Sequence, residues 1–123
     1  MMKNNILFML LALLTLSAKH SFAQANNGKW QTVTIQTSAE CGDCKTRIEE
    51  TLNYTKGVSF AELDLETKKV TVKYNSSKIT LDEIKMTINK IGYHADDFKA
   101  AKEDILKLPA CCQPGGMQNS EKQ

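Results

Sequence analysis

Proline is almost missing from this chain: its two copies, Pro109 and Pro114, both lie near the C-terminal end. Thioredoxin-like folds place a proline against their reactive cysteine pair, and the body of this chain has none to offer. An excess of one charge is also lacking. Lys68, Lys69 and Lys73 are offset by Glu62, Asp64 and Glu66, which leaves no basic stripe to follow a phosphate backbone, so no nucleic-acid partner is expected. Histidine is limited to His20 and His94, no serine, histidine and acid set has catalytic spacing, and no glycine-rich phosphate loop is present. An enzyme is therefore not expected. The main apolar run, residues 6–16, is shorter than the roughly 20 residues needed to cross a bilayer. With 123 residues, the chain has room for one compact core and short extensions, and not for two cores.

What is present at the start is a targeting pattern. Lys3 precedes the apolar run, and Ser21-Phe22-Ala23 ends in small residues, so residues 1–23 read as a secretory signal cleaved after Ala23. No cysteine lies in or just after this segment to carry a lipid anchor. The expected product is periplasmic or secreted, with no stable membrane insertion after cleavage. Loss of Lys3 and Lys19 lowers the basic residues from sixteen to fourteen, equal to the fourteen acidic ones. Residues 24–28 read as a flexible leader, 29–99 as the ordered domain, and 100–123 as a C-terminal extension with a disordered tail from Gln113 onward.

Periodicity supplies the elements. Alternation over 30–36, with Val33 and Ile35 on one face, predicts a half-buried strand. A loop over 37–43 follows, then a helix over 44–53 on the spacing Cys44, Ile48, Leu52. Two strands form a hairpin, with Ala61, Leu63 and Leu65 inward on one and Val70, Val72 and Tyr74 on the other, joined by a turn at 66–69. Val58 and Phe60 have the opposite parity, which predicts a bulge near Phe60. Thr80 and Glu83 form a T-x-x-E capping box ahead of Leu81, Ile84, Ile88 and Ile91, and Gly92 is a left-handed C-cap. A short last strand is expected over 93–98 and a brief helix over 100–108, stopped by Pro109. This order predicts an α+β, ferredoxin-like βαββαβ sandwich: a four-stranded antiparallel sheet with two helices on one face.

All four cysteines, Cys41, Cys44, Cys111 and Cys112, lie after the signal. A C-x-x-C pair and an adjacent pair each close a tiny loop and so make poor structural disulfides. Metal binding or thiol redox chemistry is the alternative use. Thiolate sulfur is soft and suits Cu(I), Hg(II) and, with more ligands, Zn(II) or Cd(II). Cys44 in a first helical turn gains from the helix dipole, with Lys45 adding positive charge nearby. The redox alternative is a small thiol-disulfide oxidoreductase in which Cys41 attacks and Cys44 resolves.

The C-x-x-C at a strand-to-helix junction, Gly57-Val58, the V-T-V-K-Y of Val70 to Tyr74 and the I-G-Y of Ile91 to Tyr93 together resemble the heavy-metal-associated family, over roughly residues 29–98. The resemblance implies that Cys41 and Cys44 are the primary ligands of a carrier or scavenger, which passes its ion by thiolate exchange. The implied partner is a metal-transporting membrane protein or efflux component, and the chain is expected to be a monomer. Copper(I) is the leading cargo, with mercury(II) and zinc(II) or cadmium(II) as alternatives. The family usually reads G-M-x-C-x-x-C, whereas this chain has Ser38-Ala39-Glu40-Cys41-Gly42-Asp43-Cys44 and lacks the buried methionine. Glu40 is then either an oxygen ligand or, like Asp43, a complement to the helix dipole. Tyr93 matches a residue that shields the ion, and His94 is either a third ligand or a partly exposed histidine at a strand start. Cys111 and Cys112 are candidate further thiolates, a redox-protective pair or a vicinal disulfide.

Overall fold

The alternation over the first strand forms β1 (Trp30–Gln36), in which Ile35 is buried while Thr32 and Thr34 face out. The computed structural model describes residues 29–114. The expected signal, leader and the tail beyond Pro114 lie outside the described residues. After β1 come helix α1 (Gly42–Asn53), strands β2 (Val58–Asp64) and β3 (Lys69–Asn75), helix α2 (Leu81–Lys90), a short helix α3 (Lys102–Leu106) and a 3-10 turn at Ala110–Cys112. Among the described residues the sheet has three antiparallel strands in the order β1-β3-β2.

The pairings Ile35 with Val70, Leu63 with Val70, and Ala61 with Val72 gather apolar side chains on one face. Ile48 and Leu52 of α1 and Ile84 and Ile88 of α2 join them in a single buried core, each such side chain contributing roughly 1.5–3 kcal/mol. Both helices therefore cover one face, in the ferredoxin-like α+β arrangement. The bulge falls where it is expected, between Val58 and Phe60, and it lets Ala61 and Leu63 turn inward. Leu65 does not join them: β2 ends at Asp64, alternation stops there, and Leu65 is 41% exposed.

Side chains of α1 bind the outer edge of β2. The Asn53 carboxamide accepts from the Ala61 N–H at 2.9 Å and donates to the Ala61 carbonyl at 3.0 Å. Lys45 Nζ donates to the Leu63 carbonyl at 2.5 Å. The start of α2 carries the expected capping box, with the Glu83 N–H donating to Thr80 Oγ1 at 3.2 Å and the Thr80 N–H to Glu83 Oε2 at 2.8 Å.

The C-terminal third departs from expectation. In place of a strand over 93–98 there are isolated bridges, Thr37 with Ala95 and Ala95 with Phe98. Asp96 takes a left-handed φ of 51°, which turns the chain back after one bridge. Its N–H then donates to the Gln36 carbonyl at 2.8 Å, and its Oδ1 accepts from the Gln36 N–H at 2.9 Å. The helix expected over 100–108 is confined to Lys102–Leu106. Beyond it, Leu108 and Cys112 are buried in the core cluster. Gly92, at φ 98°, makes room for this segment: a Cβ there would lie 2.8 Å from the Asp104 carbonyl oxygen and 2.8 Å from Leu108 Cγ.

Candidate metal centre

Helix α1 starts two residues before the expected Cys44, and this decides how the cysteine pair is presented. Cys41 is the N-cap, with extended backbone at φ −149° and ψ 177°, and Cys44 follows in the first turn. The extended cap carries Cys41 outward and leaves it partly exposed, while Cys44 points into the core and is fully buried. Their sulfurs are 3.5 Å apart. The 3-10 turn brings up the second pair, with Cys111 Sγ 3.8 Å from Cys112 Sγ and the Cys111 carbonyl 3.8 Å from Cys41 Sγ. The sulfurs of Cys41, Cys111 and Cys112 all lie within 4.8 Å of one another. All four cysteines are free thiols.

The thiols are not equivalent. Burial opposes ionisation of Cys44, but backbone hydrogen bonding from Glu40, the Tyr93 hydroxyl, the Cys112 thiol and the Cys41 backbone outweigh it and hold Cys44 below the ordinary thiol value. Cys41 moves the other way, raised by burial and by the neighbouring Cys44 thiol despite backbone hydrogen bonds from Cys44 and Asp43. Burial, with Cys44 beside it, pushes Cys112 up to about 12. Tyr93 is fully buried, and its hydroxyl has no hydrogen-bond partner of good geometry. Burial and then the thiols of Cys44 and Cys112 raise its phenol.

The side chains of the other expected residues take partners elsewhere. His94 Nδ1 accepts from the Ala100 N–H at 3.0 Å, and burial followed by Lys99 lowers its imidazole. Glu40 pairs with Lys68 at 3.4 Å. Lys45 turns to Glu49 at 2.9 Å as well as to the Leu63 carbonyl, and Asp43 lies exposed in the first turn of α1. Sequence reasoning missed Ser38, whose Oγ accepts from the His94 N–H at 2.9 Å and ties the cysteine loop to the segment carrying Tyr93. A small polar residue in a loop gives no signal of such a contact.

The conserved pattern of the heavy-metal-associated domain matches residues 34–94, a span that includes Cys41 and Cys44. A copper chaperone CopZ of Staphylococcus aureus is 42% identical over 53 residues, which are 43% of this chain and 78% of the chaperone. The chain belongs to the heavy-metal-associated domain family. A solved CopZ metallochaperone has this fold at a TM-score of 0.51 and 32% identity, over 98% of that chain and 53% of this one. A copper-exporting P-type ATPase of Staphylococcus saprophyticus is 41% identical over 63 residues, 51% of this chain but only 8% of the ATPase. Within this heavy-metal-associated domain, Ala39 stands where the family's buried methionine is usual, and it is itself fully buried. The matched span ends before α3, so Cys111 and Cys112 lie beyond it.

Proposed function

We propose that this protein is an exported carrier of copper(I), which holds the ion between the thiolates of Cys41 and Cys44 and passes it to a metal-transporting membrane protein. The observation that carries the reading is the pair of sulfurs 3.5 Å apart at the start of α1, in a chain of this family whose relatives include proteins named as copper chaperones. Two soft sulfurs, one partly exposed at the helix cap and one buried in the first turn, suit a soft monovalent ion. Cys44, fully buried in the first turn of α1, is the ligand that stays; Cys41, partly exposed at the N-cap, is the one that leaves. A thiol of the partner loses its proton as its sulfur joins the ion, and Cys41 then departs and takes one up. The likeness to a short portion of a copper-exporting ATPase supports a transporter as the partner. The case for export rests on residues 1–23, and sequencing of the protein recovered from the extracytoplasmic fraction is expected to read from Gln24.

The deciding experiment is native mass spectrometry of the reduced chain, titrated with copper(I) against a competing chelator beside Cys41→Ser/Cys44→Ser. Tight binding by wild type is expected. The double variant should lose more than the roughly 10–100-fold that removal of an outer-shell partner costs. A wild-type chain that surrenders copper to a weak competitor ends the proposal, and parallel titrations with mercury(II) and zinc(II) rank the alternatives.

A further inference from the structure

The tail cysteines lie outside the matched family residues, and yet the fold delivers them to the same place. We propose that Cys111 and Cys112 are built-in ligands: they close over the ion held by Cys41 and Cys44, converting an open two-sulfur site into a shielded one of three or four sulfurs. This inference rests on the copper-carrier reading above.

Geometry supports it. With metal–sulfur bonds near 2.3 Å, the sulfurs of a tetrahedral site stand about 3.8 Å apart and those of a trigonal site about 4.0 Å apart. The two pairs already stand at 3.5 and 3.8 Å, and Cys41, Cys111 and Cys112 all lie within 4.8 Å of one another. For Cys41, Cys111 and Cys112, closing on an ion therefore takes side-chain adjustment and no large backbone movement, while Cys44 joins through its 3.5 Å approach to Cys41.

The placement is set by packing and not by a loose tether. Leu108 and Cys112 are part of the core, and Gly92 is cut back to admit Leu108. The turn is held from within by the Cys112 N–H donating to the Pro109 carbonyl at 2.9 Å and by Gln113 Nε2 donating to the Leu108 carbonyl at 3.0 Å. Tyr93 is buried in the same core cluster as Cys44 and Cys112.

The functional consequence is a gate. The tail thiolates occupy, from within the chain, the coordination positions that a partner's thiolate needs for exchange. Each thiol gives up its proton as its sulfur joins the ion, and regains one when it leaves. Release to a partner requires the 3-10 turn to lift first, so the closed carrier holds its cargo until the turn is displaced.

X-ray absorption on the full reduced chain loaded with copper(I) tests this, alongside Cys111→Ser/Cys112→Ser and a chelator-competition titration of both. The expected result is three or four sulfurs around copper in wild type, falling to two in the variant, with at least about tenfold faster loss to the chelator. Because Cys112 is buried, circular dichroism checks that the double variant folds. Where wild type shows four sulfurs, Cys111→Ser alone, at a partly exposed position, must lower the count by one. Two sulfurs in wild type, with release unchanged by the tail substitutions, overturns the inference and leaves the carrier reading standing. Failure of wild type to retain copper at all removes both.

Discussion

Cys41 and Cys44 are separated by two residues, but the helix cap makes them chemically different: one is a partly exposed thiol with a raised proton affinity, the other a buried thiol with a lowered one. Tyr93 is one of the groups that lower Cys44. Tyr93→Phe should therefore raise the Cys44 titration midpoint, read as thiolate absorbance in a variant whose other cysteines are serine. Removal of one buried hydroxyl should change stability by about 1 kcal/mol. Cys112 gives the opposite pH signature. Its folded value, about 12, stands above the usual thiol value of 9.0, so its neutral form favours the folded state. That contribution is whole below about pH 9 and is lost as pH rises toward 12. Melting temperatures of the metal-free chain and of Cys112→Ala, compared from pH 8 to 11, should converge on the alkaline side. A constant difference would show that Cys112 does not titrate with folding.

At the scale of elements, the join between the end of α2 and the C-terminal segment is the most sensitive point. Gly92 combines a left-handed backbone with contacts that leave no space for a Cβ. Gly92→Ala should destabilise the chain by about 1 kcal/mol or more, and should loosen the 3-10 turn before the rest of the fold. Cys112 would then react with a disulfide reagent well before global unfolding, whereas equal protection in both proteins would place the strain elsewhere. The same region shows where reading the sequence stops. The helix of Ile84 and Ile88 was legible because a capping box and an apolar stripe are local patterns. The last strand was not, because Asp96 adopts a left-handed backbone and clamps Gln36, a residue 60 positions away. Leu65 looked inward only because alternation was extended past the end of β2. In the site, Cys41 and Cys44 were legible from spacing alone. The docking of Cys111 and Cys112 depends on Leu108 seating against Gly92, and no local signal encodes that contact.

Among the described residues, the three-stranded sheet, helices α1 and α2 and the folded-back segment after α2 bring all four thiols to one end, while α1 works on the edge strand β2. Asn53 occupies both the N–H and the carbonyl of Ala61, and Lys45 occupies the carbonyl of Leu63. Helix side chains thus take the place of a neighbouring strand along β2. An edge strand left open is a template for pairing with another chain, and this one is blunted by residues of its own fold. Lys45→Ala with Asn53→Ala should bare that edge and produce concentration-dependent self-association in sedimentation velocity; an unchanged profile would mean that the twist of β2 already protects it. On the carrier reading proposed above, brief contact with a partner gains from such a guard. With the N–H and carbonyl of Ala61 and the carbonyl of Leu63 satisfied at home, β2 offers passing chains fewer hydrogen bonds to zip onto.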